Sequence, residues 1–323
     1  MTDPLDYFYK NRTIIPHGLK PLSLIIITYN RAADTLQLLR NIVALDNCND
    51  LLQEIIIVNN ASTNSYEELE QFIHDHPQHP FVYSRTEKNL GVSGGRNYAI
   101  KKSTAPILVF LDDDALFRNA DALLFIQKIF SEEQQSGNNA GIAAFRVYYF
   151  DTLELQQNAF PHKQFQDRKD LPHFETSYFS GCAHAIRKSV FDAAGYYPEN
   201  FFYGMEEYDL SYRAIQAGYK IVYDNRVNVL HKESPLGRMP AEEKIRGMWV
   251  NKSKTAWKYL PMIYFISTSI LWSFEYLRRT RYYLRGWLKG WNQIIKIPSQ
   301  EKKTTLDRNS LNYLRKVSAR LWY

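Results

Sequence analysis

Short apolar runs alternate with amphipathic stretches along the first half of the chain. The runs at 22–27, 54–58, 81–84 and 107–111 have the length and the branched side chains of strands. Between them, apolar residues recur at helical spacing, as they do over 32–45. Because strands and helices alternate, the pattern predicts an α/β fold with a mostly parallel central sheet flanked by helices.

Polar residues stand at the ends of three of these predicted strands. They are Thr28, Tyr29, Asn30 and Arg31, then Asn59, Asn60 and Ser62, and finally Asp112, Asp113 and Asp114. Each group alone fits ordinary turn chemistry, since Asn, Asp and Ser are common turn residues. Ligands of open α/β sheets, however, gather outside the carboxyl ends of the strands. The coincidence at three strand ends therefore predicts a nucleotide-binding crevice.

The acidic triplet is the most specific of the three groups. An unpaired carboxylate in a dry site is very costly, so three adjacent acids after a buried strand need partners. Mg²⁺ is commonly held by one or two carboxylates together with substrate phosphates. The triplet thus predicts a divalent cation, Mg²⁺ or Mn²⁺, that holds a phosphorylated ligand. The alternative is a solvated acidic turn that caps the next helix.

A glycine-bearing stretch at 91–95 precedes Arg96 and a predicted helix that extends to about residue 102. It matches neither a Walker loop nor the Gly-x-Gly-x-x-Gly fingerprint. A glycine turn before a helix still lets a phosphate or sugar approach backbone N–H groups, and Arg96 adds a planar fork of donors. Gly95 and Arg96 are therefore candidate donor-binding residues. The alternative is a helix start where glycine relieves close packing.

Further strands are predicted over 141–148, 178–186, 220–223 and 227–230. The irregular, polar and aromatic segment at 150–177 is typical of a substrate lid or acceptor wall, or else of a surface insertion.

An acidic helix start is predicted just after Gly204. Asp209 and Arg213 are spaced as an i, i+4 pair, which leaves Glu206 or Glu207 to point elsewhere. His231 follows the last predicted strand and would lie near the acids if the sheet is wound as predicted.

Taken in order, these motifs resemble the inverting family-2 glycosyltransferases of GT-A fold, especially their bacterial rhamnosyltransferase-like branch. The resemblance covers about residues 21–231. It implies that the first two polar groups line the nucleotide and that the acidic triplet is the Asp-x-Asp signature. Asp112 and Asp114 would then bind the metal and the diphosphate, with Asp113 beside them, and His231 would be a third metal ligand.

The same resemblance implies that Glu206 and Glu207 match the family's acidic pair, whose second member is the general base. Two residues depart from the family pattern. Asn59 stands where many members have Asp, and Glu207 replaces the usual Asp, so Glu206 remains a second candidate for the base. The implied reaction moves a sugar from a UDP- or dTDP-linked donor to a glycan or polyprenyl-linked acceptor in cell-surface polysaccharide synthesis. A decayed nucleotide-sugar-binding or scaffolding protein is the alternative.

The C-terminal part is basic and aromatic. Residues 260–277 are apolar but interrupted by polar residues, and Trp287 and Trp291 follow among many cations. Over 278–316 there are 11 Lys and Arg against 2 acids, a local net charge of +9 that exceeds the +6 of the whole chain. This pattern predicts an interfacial helical extension that binds an anionic membrane surface through 260–316, with both Trp side chains at headgroup depth. The alternatives are a helical subdomain packed on the core and a dimer interface, and nucleic acid is not expected.

Composition changes this picture little. Cys48 and Cys182 are far apart and in no metal-ligand spacing, which predicts free thiols in a reducing compartment. Residues 1–20 contain charges and lack the apolar core of a signal peptide. We therefore expect a cytoplasmic protein, peripheral on the inner membrane face, with a leader at 1–20, a transferase domain at 21–235 and an extension at 236–323.

Overall fold

The computed structural model describes residues 18–201, 203–234 and 240–322, so most of the predicted leader 1–20 lies outside the described residues. The first half of the sheet is parallel, in the order β3-β2-β1-β4. Its strands are β1 (Leu22–Thr28), β2 (Leu52–Asn59), β3 (Phe81–Arg85) and β4 (Ile107–Asp112). This is the parallel arrangement that the alternating pattern predicts.

The second half of the sheet has mixed pairing. It comprises β5 (Ala115–Phe117), β6 (Ala140–Tyr149), β7 (His173–Thr176), β8 (Ala183–Arg187) and β9 (Lys220–His231). Strand β8 runs antiparallel to both β4 and β6, while β9 is parallel to β6 and antiparallel to β5 and β7. The chain passes from β6 to β8 without a long crossover helix, which antiparallel neighbours do not require.

Helices cover both faces of this sheet. They are α1 (Ala32–Val43), α2 (Cys48–Leu51), α3 (Glu67–Asp75), α4 (Gly91–Lys102), α5 (Ala122–Gln135), α6 (Phe165–Arg168), α7 (Lys188–Ala194) and α8 (Glu206–Gln216). Strand β4 shows why two layers form. Val109 and Leu111 enter one apolar cluster, and Leu108 and Phe110 enter the other, because side chains alternate across a strand.

Three local predictions were wrong. The stretch at 91–95 forms the first turns of α4 instead of a turn before it. Residues 220–231 form one continuous strand, with a register irregularity in its pairing to β6, instead of two short strands. The segment at 150–177, predicted to be irregular, contains the short elements α6 and β7.

A C-terminal helical layer completes the fold. It consists of α9 (Ala241–Tyr259), α10 (Met262–Arg279), α11 (Leu284–Gln300) and α12 (Arg308–Lys316). A small core forms around Trp249 and Tyr276, and Trp287 and Trp291 pack against it. Both rings are partly buried against the protein, so less of each is available for the predicted contact at headgroup depth, which stays a prediction. In the part of the chain that the structure describes, no helix is both long and apolar enough to cross a bilayer.

Candidate functional site

Strand register brings the acidic triplet and His231 to one edge of the sheet. Ile27 pairs with Asp112 between β1 and β4, and Ala115 pairs with His231 between β5 and β9. As a result, one possible ligand atom from each of Asp112, Asp114 and His231 lies within 4.8 Å of the others. Residues separated by more than 100 positions thus converge on one point.

The donor set of this cluster fits a divalent cation. Asp114 is buried, and its Oδ1 has no hydrogen-bond partner among the described residues, while its Oδ2 accepts from the Ser234 N–H at 2.8 Å. Nδ1 of His231 lies 3.1 Å from Gln156 Oε1, which leaves Nε2 facing Asp114 Oδ1 at 3.3 Å. Two carboxylates and an imidazole with an oriented ring can hold Mg²⁺ or Mn²⁺.

Electrostatics at the cluster favour positive charge. Burial opposes a charged imidazole, yet the neighbouring Cys182 and the Asp114 carboxylate raise the pKa of His231 to about 11. Burial likewise opposes an ionised Asp114, but the neighbouring His231 lowers the pKa of that carboxyl to about 2. The same surroundings that favour a charged imidazole would favour a bound divalent cation.

Arg31 binds the rest of the triplet. Its Nη1 lies 2.8 Å from Asp113 Oδ1 and 3.0 Å from Asp114 Oδ2, and its Nη2 donates to the Ser234 carbonyl at 3.1 Å. Burial raises the pKa of Asp113 to about 7 in spite of this guanidinium. Arg31 therefore compensates two carboxylates and fixes the loop after β9 at the same time.

A cavity of about 230 Å³ opens over this edge. Of the residues predicted to bind the donor, seven line it: Thr28, Tyr29, Arg31, Asn60, Arg96, Asp112 and Asp113. The lining also includes Asp114 and His231 from the predicted metal set.

The other predicted donor-binding residues, Asn30, Asn59, Ser62 and Gly95, are not part of the lining. Ser62 Oγ accepts from the Asn30 N–H at 2.9 Å, and Asn59 Oδ1 accepts from the Ser62 N–H at 2.9 Å. A Cβ added to Gly95 would lie 2.8 Å from Ile27 Cγ2. The first three residues thus shape turns, and Gly95 lets α4 approach β1.

Arg96 joins the acidic pair to the metal-ligand cluster. It is buried, and its Nη1 lies 3.4 Å from Glu206 Oε1 and 3.5 Å from Glu207 Oε1. Its Nη2 lies 3.4 Å from Asp112 Oδ1 and donates to the Gly181 carbonyl at 2.8 Å. The side chain that the sequence offers as a fork for the donor is therefore shared among three carboxylates.

The two glutamates begin α8 and differ in exposure. The Glu206 side chain is 3% exposed and that of Glu207 is 15% exposed. Burial raises the pKa of both carboxyl groups, and with the charge of Glu207 it brings that of Glu206 to about 8. Asp209 pairs with Arg213 at 2.7 Å, as its i, i+4 spacing predicts, and so faces away from the pair. A raised pKa near a shared cation is typical of carboxylates that exchange protons.

A second cavity, of about 440 Å³, adjoins the first and shares Arg96, Asp112 and His231 with it. Glu206 and Glu207 line only this second cavity. The metal-ligand cluster and the acidic pair thus lie at a junction between two spaces, where a donor and an acceptor could meet.

The sequence reasoning missed three residues of the junction. Gly181 accepts from Arg96, and a Cβ there would collide with Glu207 Oε1. Gln156 orients His231, and Lys252 of α9 lines the second cavity. Only Gln156 carried a signal, because it belongs to the segment predicted to be a lid or acceptor wall.

A sequence profile described as glycosyl transferase family 2 matches residues 23–195, more than half of the chain. Over 190 residues the chain is 30% identical to the O-antigen chain rhamnosyltransferase WbaN of Salmonella anatum. This match covers 56% of the chain and 57% of WbaN, so the chain spans little more than half the length of that relative.

Two solved structures share the fold. One is GalNAc-T7 with UDP, GalNAc and Mn²⁺, with a TM-score of 0.63 and 15% identity over 93% of this chain and 57% of that chain. The other is the mannosyltransferase PcManGT from Pyrobaculum calidifontis in complex with GDP-Man and Mn²⁺, with a TM-score of 0.56 and 16% identity over 99% of this chain and 88% of that chain. At these identities the likeness establishes the GT-A fold alone.

Proposed function

The chain belongs to glycosyl transferase family 2, and we propose that it is a metal-dependent, inverting glycosyltransferase. The sugar would pass from a UDP- or dTDP-linked donor to a hydroxyl of a glycan or lipid-linked glycan, in cell-surface polysaccharide synthesis. The observation that carries this proposal is the cluster of Asp112, Asp114 and His231, all three of which line the first cavity. The O-antigen role in the name of WbaN supports the pathway, and the Mn²⁺ in the names of both structural neighbours supports the metal.

In the proposed reaction, Asp112, Asp114 and His231 would hold the cation, and Arg31 keeps two of the three carboxylates of the triplet in place. A bound divalent cation would neutralise charge on the departing nucleoside diphosphate. Thr28, Tyr29 and Asn60 border the same cavity and are the proposed contacts for the nucleotide.

Glu207 is the proposed general base. It is the more exposed member of the acidic pair, and it lines the second cavity and not the donor cavity. From there it would take the proton of an acceptor hydroxyl as that oxygen attacks the anomeric carbon in line. Because no covalent intermediate forms, the anomeric configuration inverts. Arg96 would act as a positioning residue that holds Glu207 against Asp112.

The decisive experiment is a donor screen on the full chain. UDP-, dTDP- and GDP-sugars are incubated with Mn²⁺, Mg²⁺ or EDTA and a pool of glycan acceptors, and nucleotide release is measured. We expect acceptor-stimulated release from one donor class that requires the metal. Metal-dependent donor binding without any turnover would instead support the alternative of a decayed nucleotide-sugar-binding protein, and donor binding unaffected by EDTA would refute the metal assignment.

We further propose that α10 and α11 dock the enzyme on the anionic inner face of the cytoplasmic membrane. Large exposed apolar side chains recur about one turn apart on these helices, at Met262, Ile266, Ile270 and Phe274, and at Leu284 and Leu288. We call these six residues the apolar face. They join Trp287 and Trp291 as the proposed membrane contacts, and the local net charge of +9 supports an anionic lipid partner.

The proposed domain limits remain 21–235 for the transferase domain and 236–323 for the extension. The two parts share a core, since Ala256 and Leu314 of the extension pack in the same apolar cluster as Phe110 of β4. A membrane bound through the extension would thus be coupled rigidly to the catalytic edge.

A further inference from the structure

Lys252 is a buried cation that the proposed reaction does not use. It lies on α9, is 5% exposed, and borders the second cavity. Its Nζ lies 3.3 Å from the centroid of the Tyr208 ring, and Tyr208 is the residue that follows Glu207 in the sequence. No hydrogen bond or ion pair of this ammonium occurs among the described residues.

The surroundings of Lys252 add positive charge. Burial, together with the charge of Arg320, lowers the pKa of Lys252 to about 7. Arg320, from the segment after α12, borders the same cavity, as does Arg279 of α10. Glu275, an acid that also borders the cavity, is already paired with Arg278 at 2.7 Å and with Arg279 at 2.5 Å.

The cavity is therefore lined by both acids and cations. Glu206 and Glu207 contact Arg96, which also contacts Asp112 of the donor cavity. Lys252 and Arg320 line the same second cavity as the two glutamates. A cation–π contact offsets only part of the cost of removing an ammonium from water without an anionic partner.

We infer that this cavity binds an acceptor that carries an anionic group, and that Lys252 and Arg320 bind that group while the acceptor hydroxyl faces Glu207. The inference rests on the proposed function, because it assigns the second cavity to the acceptor. Phosphate oxygens of a lipid-diphosphate linkage and the carboxylate of an acidic sugar share the required chemistry. Either would be attracted by the pair of cations and would hold the acceptor in one orientation.

The test measures anion binding with the donor site disabled. The full chain is kept in EDTA, so that donor binding through the proposed metal site is lost, and inorganic pyrophosphate or a galacturonate disaccharide is titrated by calorimetry. We expect saturable binding of at least one anion to the wild-type protein. Lys252→Met should weaken that binding about 10- to 100-fold, as expected for loss of a charge-assisted hydrogen bond. Tighter binding of pyrophosphate would identify a phosphate linkage as the source, and tighter binding of the uronate would identify an acidic glycan.

Two further variants control the result. Lys254→Met removes a charge from the same helix, but Lys254 pairs with Glu301 at 3.4 Å and is not part of the cavity lining. The Lys254→Met variant should therefore bind the anion as tightly as the wild type does. Arg320→Gln changes an exposed residue and should weaken binding even if Lys252→Met fails to fold. Binding of neither anion to wild type, or equal binding by Lys252→Met and wild type, would overturn the inference.

The same variants separate this inference from the proposed function. With Mn²⁺ present, Lys252→Met should bind the nucleotide-sugar donor as wild type does, because Lys252 lies outside the donor cavity. If the wild-type protein binds no nucleotide-sugar donor in the presence of Mn²⁺, the proposed function is refuted, while the anion-binding result obtained in EDTA still stands. With an anionic acceptor, Lys252→Met should raise KM more than it lowers kcat, and an equal loss for a neutral acceptor would contradict the inference.

Discussion

The metal-ligand edge of the sheet and the apolar face of α10 and α11 differ in how their charges are balanced: acids are paired with cations at the edge, whereas cations are in excess around the face. At the sheet edge every acid of the triplet faces a cation, with Arg31 on Asp113 and Asp114, and Arg96 on Asp112. Around the apolar face, cations greatly outnumber acids and surround exposed side chains such as Phe274, which is 64% exposed. The edge is thus organised before any ligand arrives, whereas the face leaves its charge to be matched by a partner.

This difference separates two kinds of recognition. Pre-organised groups in a cleft suit a small ligand and catalysis, since the protein does not need to rearrange during the reaction. A broad apolar and basic surface suits an extended partner such as a bilayer, where many weak contacts add up. Substitutions at the edge should therefore cause large and specific losses, and substitutions on the face smaller and salt-dependent ones.

The largest effect is expected at Glu207. Glu207→Gln removes the proposed base while keeping its size, so kcat should fall by about 10²–10⁴ with donor affinity unchanged. The measurement is steady-state turnover beside donor binding by calorimetry. If Glu206→Gln is the inactive variant and Glu207→Gln is active, the base is Glu206.

The next largest effect is expected at Asp114. Asp114→Ala removes a proposed metal ligand, and metal-dependent donor affinity should fall at least about 100-fold, since even outer-shell partners of a metal cost 10- to 100-fold. Donor binding is titrated with Mn²⁺ and with EDTA, and circular dichroism monitors the fold. Leu171→Glu, an exposed change on the sheet domain, should bind donor like wild type. Equal donor affinity of Asp114→Ala and wild type would contradict the metal assignment.

The apolar face should give an intermediate effect. Replacing both Ile270 and Phe274 by Glu should weaken sedimentation with anionic vesicles about tenfold or more, because the energy from burying two large apolar side chains is lost. High salt should weaken wild-type binding as well, because the charges are screened. Leu171→Glu serves again as the control. Unchanged sedimentation of the double variant would remove the face from the membrane proposal.

Two glycines test how firmly the helical layer is packed. A Cβ on Gly290 would lie 2.2 Å from Cζ3 of the buried Trp249, so Gly290→Ala should destabilise the protein by about 1–3 kcal/mol. The matched change Gly247→Ala meets only the Tyr203 carbonyl at 3.8 Å and should stabilise by about 0.5–1 kcal/mol. Urea unfolding measures the free energy of unfolding of both variants. Equal changes in the two variants would mean that the helical layer rearranges around Trp249 to accommodate the added methyl group.

The smallest effect is a shift in the pH profile. The base must be ionised, and burial raises the pKa of Glu207 above its ordinary value of 4.5, so kcat should fall as the pH falls through that raised pKa. Burial and the charge of Glu207 raise the pKa of Glu206 to about 8, so Glu206 is protonated in the range where Glu207 titrates. Glu206→Gln should therefore leave the acid limb where it is in the wild type. A shift of the acid limb to lower pH in this variant would contradict that order of ionisation.

The family and the GT-A fold predicted from the sequence are confirmed. The assignments of individual site residues stay predictions, although Asp112, Asp114 and His231 do come together. Asn30, Asn59 and Ser62 hydrogen-bond to one another at two strand ends, and whether they also contact the donor stays a prediction, because the same polar side chains serve both purposes. Nothing local distinguishes the two cases.

The sequence alone determined what lies at the strand ends. An apolar run of fixed length ends where its polar residues begin, and parallel strands carry those ends to one edge, so Asp112 and Asp114 could be placed without coordinates. The tertiary structure alone decided the partners of Arg96, the burial of Lys252 beside a cavity and the packing of Trp287 and Trp291 against the helical core. The physical reason is geometric. A strand end has a direction set by its own residues, whereas a helix offers several faces, and only its neighbours determine which face is buried.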